Sequence, residues 1–160
     1  MSELETDYLI QGLRGLAARG IRAPGVPFGL WREIGQLVPQ PAVEMIISNT
    51  GEDVLLTYRD DDYWSGWHIP GGFSGCGESL ADTCQRLGRH ELGADVRLLS
   101  VIDSFAWPDH PYGNALSLLC HCELADPPGV GRFFAEPPTH MVRYHRDFML
   151  KFQAWARRGR

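Results

Sequence analysis

Residues 71–94, GGFSGCGESLADTCQRLGRHELGA, place acids, an arginine and a run of glycines at spacings that bear on cation and anion chemistry. Read as a helix from Leu80, the segment puts Leu80, Cys84, Leu87 and Glu91 on one stripe, because steps of 4, 3 and 4 residues return to nearly the same angle. Glu91 therefore stands where the helix is otherwise apolar. A carboxylate on a buried face costs several kcal/mol unless a cation, a hydrogen-bond network or protonation compensates, whereas at a frayed helix end it simply reaches water. Upstream, Gly71, Gly72, Gly75 and Gly77 either let the main chain approach a ligand closely or mark turns. Glu78 lies just before the helix, where the dipole favours an acid. Arg86 has Asp82 at i−4, the spacing of a surface ion pair. Gly93 suits a C-cap, and Gly88 within the helix costs about 1 kcal/mol relative to alanine, so it either eases close packing or is tolerated.

The rest of the chain reads as elements that could hold this segment. Leu9, Leu13 and Leu16 recur at helical spacing over residues 3–19, with Gly20 as a stop. After the loop Ala23-Pro24-Gly25-Val26-Pro27, a short helical piece spans about Leu30 to Val38. Residues 43–47 and 54–59 read as strands joined through Asn49-Thr50-Gly51-Glu52, which suggests a hairpin. Trp67-His68-Ile69 is short and extended, strands are expected over 96–105 and 115–124, and a loop rich in proline and glycine over 126–138. A closing helix from about His145 to Arg157 carries Phe148, Phe152 and Trp155 at i, i+4 and i+7. Strands on either side of a central helix, with a second helix at the end, imply an α+β fold in which helices sandwich a mixed sheet.

With 160 residues and 44% hydrophobic content, one compact domain is expected. No run of about 18 apolar residues is available to span a membrane, and the N-terminus lacks the basic-then-apolar order of a signal peptide, so a cytoplasmic location is expected. Net charge is −5, which argues against a nucleic-acid polymer as partner and leaves room for a small anion held by placed residues. Cys76, Cys84, Cys120 and Cys122 lack CxxC spacing and read as reduced packing residues. Cys120-His121-Cys122 reads as alternation along an apolar strand rather than as a metal motif.

Taken in joint register, Gly72, Glu78, Arg86, Glu91 and Gly93 resemble a Nudix box, G-x5-E-x7-R-E-U-x-E-E-x-G-U with U aliphatic. Two of its acidic positions hold Leu87 and His90. The segment Arg86-Leu87-Gly88-Arg89-His90-Glu91-Leu92-Gly93 resembles the R-L-x-x-x-E-L-G of the GDP-mannose mannosyl hydrolase branch. So do Val43-Glu44-Met45-Ile46-Ile47 followed by Leu55, Leu56 and Arg59, and Gly66-Trp67-His68-Ile69-Pro70-Gly71-Gly72. The resemblance covers roughly residues 31–107 and implies a Nudix-type α/β/α sandwich over 29–160, with residues 1–28 as an N-terminal helical extension.

The branch implies a cation-dependent hydrolase of a nucleotide sugar, in which water attacks the anomeric carbon and nucleoside diphosphate leaves intact. One retained box carboxylate suits a single hard cation, Mg2+ or Mn2+. The resemblance assigns Glu91 and the carbonyl of Gly71 as metal ligands with outer-sphere help from Glu78, and Arg59 and Arg86 to the diphosphate. Glu44 takes the place of an aspartate near the sugar. His140 is the expected base, with Glu136 standing where a glutamine ligand is usual. His110 and Tyr112 fall in a segment resembling a substrate-contacting stretch, offset by one residue, and Phe73 replaces an arginine. A homodimer is also expected, since the branch is dimeric. Two other classes remain: a pyrophosphohydrolase of nucleoside diphosphate derivatives, and a Nudix-fold binding module without catalysis.

Overall fold

Capping chemistry sets where the first helix begins. The structure, a computed structural model, describes residues 2–23, 25–49, 52–107 and 109–158, so the turn and loop positions Pro24, Thr50, Gly51 and Pro108 lie outside the described residues. Ser2 accepts the Glu5 amide while the Glu5 carboxylate accepts the Ser2 amide, a closed capping box at the head of α1 (Glu3–Ala18). Gly20, at φ 73°, ends it in the left-handed region. α1 buries none of its residues. After α2 (Phe28–Leu37), the chain enters β1 (Gln40–Ile47), in which every residue but Pro41 is buried.

Burial on both faces is why β1 reads as an apolar run rather than an alternating one. It pairs in parallel with β6 (Ala115–Leu124) and antiparallel with β4 (Gly71–Phe73). β5 (Val96–Trp107) runs antiparallel to β6 at the edge, giving a mixed sheet in the order β4-β1-β6-β5. β2 (Val54–Asp60), β3 (Ser65–His68) and β7 (Arg132–Phe134) form a second sheet in the order β3-β2-β7. The hairpin expected of 43–47 with 54–59 is not formed. Those segments belong to different sheets and meet at the isolated Ser48↔Val54 bridge, because β1 gives its two edges to β4 and β6. β7 also corrects the 126–138 loop, since Arg132–Phe134 pairs with Leu56 to Val54.

α3 (Leu80–Leu92) lies on one side of the mixed sheet, where Cys84, Leu87 and Leu92 meet Val43, Met45, Cys120 and Cys122. α4 (His145–Arg158) covers the other side, burying Phe148, Met149 and Phe152 against Ile46, Ile69 and Leu119. Helices therefore flank a mixed sheet, the α+β sandwich expected of the sequence. Cys120 and Cys122 point to α3 while His121 turns to Phe152 and Trp155 of α4, as strand alternation requires. Among the described residues no helix is long and apolar enough to cross a membrane.

Gly88 has a packing reason. A Cβ there would sit 2.4 Å from Val96 Cγ2 and 2.9 Å from the Ala94 carbonyl oxygen, so α3 can approach β5 this closely only without a side chain. Overpacking costs about 1–3 kcal/mol, against roughly 1 kcal/mol gained in helix propensity. Gly88→Ala is expected to lower the urea midpoint, and Val96→Ala in the same chain to recover part of the loss.

Candidate active site

The glycine loop and α3 are stitched together by one ion pair. Ser79 and Asp82 close a capping box at the helix start, so Asp82 is engaged there and not with Arg86. Arg86 instead grips Glu78 at two points, Nε–Oε1 at 2.6 Å and Nη2–Oε2 at 2.8 Å, and donates to the Phe73 carbonyl at 2.9 Å. Glu78 Oε2 also accepts the Gly75 amide at 2.8 Å and the Thr83 hydroxyl at 3.0 Å. The Arg86 hydrogen bonds hold the Glu78 carboxyl down to about 2. Arg86, expected at a diphosphate, and Glu78, expected near a cation, are thus each other's partners here. Each saturates the other, and together they fix the loop that carries Gly71 to Gly77.

On the other side of that loop, Glu44 of β1 stands in register with Gly71 of β4. The Glu44 side chain is buried. Its Oε1 accepts the Ser117 hydroxyl at 2.9 Å, and Ser117 in turn accepts the Trp107 indole N–H at 2.7 Å. Its Oε2 lies against Gly71, where an added Cβ would come within 2.7 Å of it. Burial pushes the Glu44 carboxyl up to about 8, opposed by the Ser117 hydrogen bond and reinforced by the charge of Glu91. Glu91 projects from the apolar stripe of α3 and is hydrogen-bonded to His90 Nδ1 at 3.0 Å, so it neither frays into open water nor is fully enclosed. The structure thus sets Glu44 against Gly71, with Glu91 in the adjoining recess, where its charge acts on Glu44.

A cavity of about 230 Å³ opens beside Glu44 and Gly71 and is lined also by Arg59, His68, His110, Tyr112 and His145. Arg59 and His68 form its border with a wider recess of about 550 Å³ that Glu91 lines. Arg59 is held by Asp61 and by the Tyr112 hydroxyl. Phe28 of α2 packs on Tyr63 and Tyr112, and Trp31 on Phe73, so this helix walls the cleft with aromatic rings.

The histidines sort by their partners. His68 donates from Nδ1 to the Ile69 carbonyl and accepts the Thr57 hydroxyl at Nε2, leaving neither nitrogen free for a substrate. His145 Nδ1 accepts the Ile69 amide at 3.0 Å, and His110 Nδ1 accepts the Tyr112 amide at 3.2 Å, so each carries its proton on Nε2 when neutral. Burial holds His145 well below the usual histidine range and lowers His110 to about 4. His140 is elsewhere. Strand alternation turns Arg59 and His68 to one face of the second sheet and Tyr58 and Trp67 to the other, and His140 sits over Tyr58, with Nδ1 3.2 Å from its hydroxyl. The ring lines neither cavity, and Glu136 is likewise exposed outside both. His140, the expected base, therefore lies over Tyr58, a residue of the rim of the recess that Glu91 lines, and not in the inner cavity.

A cation would suit the inner cluster. Glu44 is buried with no charge-neutralising partner in its hydrogen-bond set, it feels the charge of Glu91, and the donors at hand are carboxylate and main-chain oxygens, the set that hard divalent ions favour. Among the described residues no three side chains of His, Cys, Asp or Glu converge as a ready metal cluster, so main-chain oxygen would have to complete the shell.

Residues 38–139 match the NUDIX domain, well over half of the 160 residues. The chain belongs to the NUDIX family. Within that span lie Glu44, Arg59, the glycine loop and Glu91, whereas α1, α2 and α4 flank it. Over 81 residues, 50% of this NUDIX chain and 51% of the relative, it is 35% identical to the low-salt glycan biosynthesis protein Agl8 of Haloferax volcanii. Over 84 residues, 52% and 50% of the two chains, it is 27% identical to an ADP-ribose pyrophosphatase of Methanocaldococcus jannaschii. The chain spans about half the length of the curated relatives it matches. Among solved structures, a UDP-X diphosphatase aligns with a TM-score of 0.64 and 16% identity over 77% of this chain and 65% of that one. A NUDIX hydrolase from Nitrosomonas europaea aligns with 0.62 and 22% identity over 76% and 74%. At such identities these likenesses show the fold.

Proposed function

We propose that this NUDIX chain is a hydrolase of nucleoside diphosphate derivatives that works with Mg2+ or Mn2+, and that its substrate is a nucleotide sugar opened at the anomeric carbon. The observation that carries this reading is what α3 offers the cleft. Leu87, at a position the box usually gives to an acid, is buried, and a Cβ on Gly72 would lie 3.0 Å from its Cδ2, while His90 is 79% exposed. Glu91 is left as the box carboxylate beside Glu44, which supports one cation rather than a cluster.

In this reading Glu91 and the Gly71 carbonyl hold the cation, and Arg59 binds the diphosphate. The bound ion supplies Lewis-acid stabilisation of the charge that develops on the leaving diphosphate. Water attacks the anomeric carbon, the bond from that carbon to the diphosphate oxygen breaks, and its electron pair leaves with the nucleoside diphosphate. Glu44 takes the proton from the attacking water, a role that suits a carboxyl raised toward neutral pH. His110 and His145, neutral and protonated on Nε2, donate hydrogen bonds to sugar or phosphate oxygens.

Cleavage at phosphorus is the second reading. It draws on the names of the ADP-ribose pyrophosphatase and UDP-X diphosphatase relatives. Turnover of a nucleotide-sugar panel in 18O water separates the two: label in the free sugar supports attack at carbon, label in phosphate supports attack at phosphorus, and binding without turnover leaves a binding module. The histidines give a further prediction. His110→Ala should lower kcat roughly tenfold, the worth of one hydrogen bond of about 1.4 kcal/mol at the transition state, whereas His140→Ala should leave it unchanged. Steady-state rates of the two variants check this, and the reverse result would return the expected base to His140.

A further inference from the structure

We infer that Ser117 and Trp107 are positioning residues for the carboxyl of Glu44, fixing Oε2 as the oxygen that meets the attacking water. This role rests on the proposed reading of Glu44 as the group that accepts the water proton. Strand alternation sets Ala115, Ser117 and Leu119 of β6 on the α4 side of the mixed sheet, together with Ala42, Glu44 and Ile46 of β1. Trp107 reaches the same row from β5. Ser117 is fully buried with Ala115 and Leu119 on either side of it along the row, so its hydroxyl needs partners of its own.

Those partners fix the direction of each hydrogen bond. An indole N–H can only donate, so Ser117 Oγ accepts from Trp107 Nε1, at 2.7 Å. The serine has one proton, and among the described residues the acceptor it meets is Glu44 Oε1, at 2.9 Å. A proton carried on Oε1 would leave the buried serine proton without an acceptor, which costs more than the bond itself is worth. Oε2 is therefore the oxygen left to exchange a proton. It lies beside Gly71, where an added Cβ would stand 2.7 Å from it, and Glu44 and Gly71 line the inner cavity whereas Ser117 does not. In the proposed step Oε2 takes one proton of the water as the water oxygen bonds the anomeric carbon. The electron pair of the broken carbon–oxygen bond departs with the diphosphate.

A double-mutant cycle tests this on the full chain with Mg2+, in steady-state kinetics on the nucleotide sugar that wild type turns over fastest in the panel. Ser117→Ala is expected to lower kcat roughly tenfold and to leave KM within about twofold, since it frees the carboxyl to turn without touching the substrate. Ser117→Cys, which fills the space with a weak donor, is expected to behave alike. Glu44→Gln lowers kcat further, and Ser117→Ala added to it is expected to cost nothing more, because the serine acts through the carboxyl. Wild-type kcat in both Ser117 variants overturns the inference, as does a loss carried by KM or a fully additive loss in the double variant. Glu44→Gln turning over at the wild-type rate instead overturns the reading of Glu44 as base, so the two failures are told apart.

Discussion

Replacing Glu91 with glutamine is expected to lower hydrolysis of a nucleoside diphosphate derivative roughly a thousandfold while the fold persists, since a cation at a leaving group is worth several kcal/mol and each ~1.4 kcal/mol is a factor of ten. The fold should persist because the Glu91 side chain is 27% exposed and its described hydrogen bond runs to His90 on the helix surface. Amide and carboxylate have nearly the same shape, so α3 keeps its packing through Cys84, Leu87 and Leu92. What changes is the charge facing Glu44. Calorimetric titration with Mg2+ and a thermal melt, run beside the rate assay, separate the causes: lost binding with an unmoved melt is the expected pair of results, and a variant with full rate would end the assignment of Glu91 as a ligand. Glu78→Gln is the contrast. It removes the charge from the two-point contact with Arg86, so its melt should move along with its rate.

The difference between these two glutamates marks how far the sequence could be read. Helical spacing alone set Glu91 on the apolar stripe, and Gly93, at φ 63°, caps the helix as its type and place suggested. Both are local, decided within a few residues. The partner of Arg86 was not: Asp82 at i−4 satisfied the helical rule equally well, but Ser79 claims it for the cap, and the loop folds Glu78 back into reach. β1 was legible as an apolar run, yet its parallel partner lies more than seventy residues away in β6, and nothing near residues 43–47 announces that pairing over a hairpin. His68 was missed, and His145 stood only as an alternative to His140 for the base, for the same reason. One alternates with Ile69 in a short strand and the other heads α4, and only the packing of α4 on the sheet brings their rings within 5.8 Å. His140 shows the reverse case, a histidine at the expected place in the chain whose ring packs over Tyr58 rather than entering the inner cavity.

Stability of the cation-free protein is expected to peak near pH 6.5 and to fall on both sides for different reasons. The folded chain keeps His68, His110 and His145 below their ordinary range, chiefly through burial. Below about pH 6.5 the unfolded chain takes up protons at these residues that the folded chain refuses, so stability is lost as pH falls. Glu44 acts in the opposite sense. Its carboxyl is ordinary when unfolded and is raised to about 8 when folded, so between those values folding takes up a proton and stability is lost as pH rises. Three histidines outweigh one carboxyl on the acid side, and Glu44 leads the loss up to about pH 8, above which the raised thiols of Cys84 and Cys120 add to it. Between pH 6.5 and 8 its contribution is about 2 kcal/mol, from ~1.4 kcal/mol per pH unit. Glu44→Gln should remove the alkaline limb up to about pH 8 while retaining the acid one, because a glutamine keeps an acceptor oxygen for Ser117 and has no proton to lose. Urea titrations of both chains from pH 5 to 8 would check it, and an alkaline limb that survives in Glu44→Gln would assign the loss to another group. Saturating Mg2+ should flatten the same limb in the wild type, since a cation beside Gly71 favours the ionised carboxyl whose burial is otherwise uncompensated.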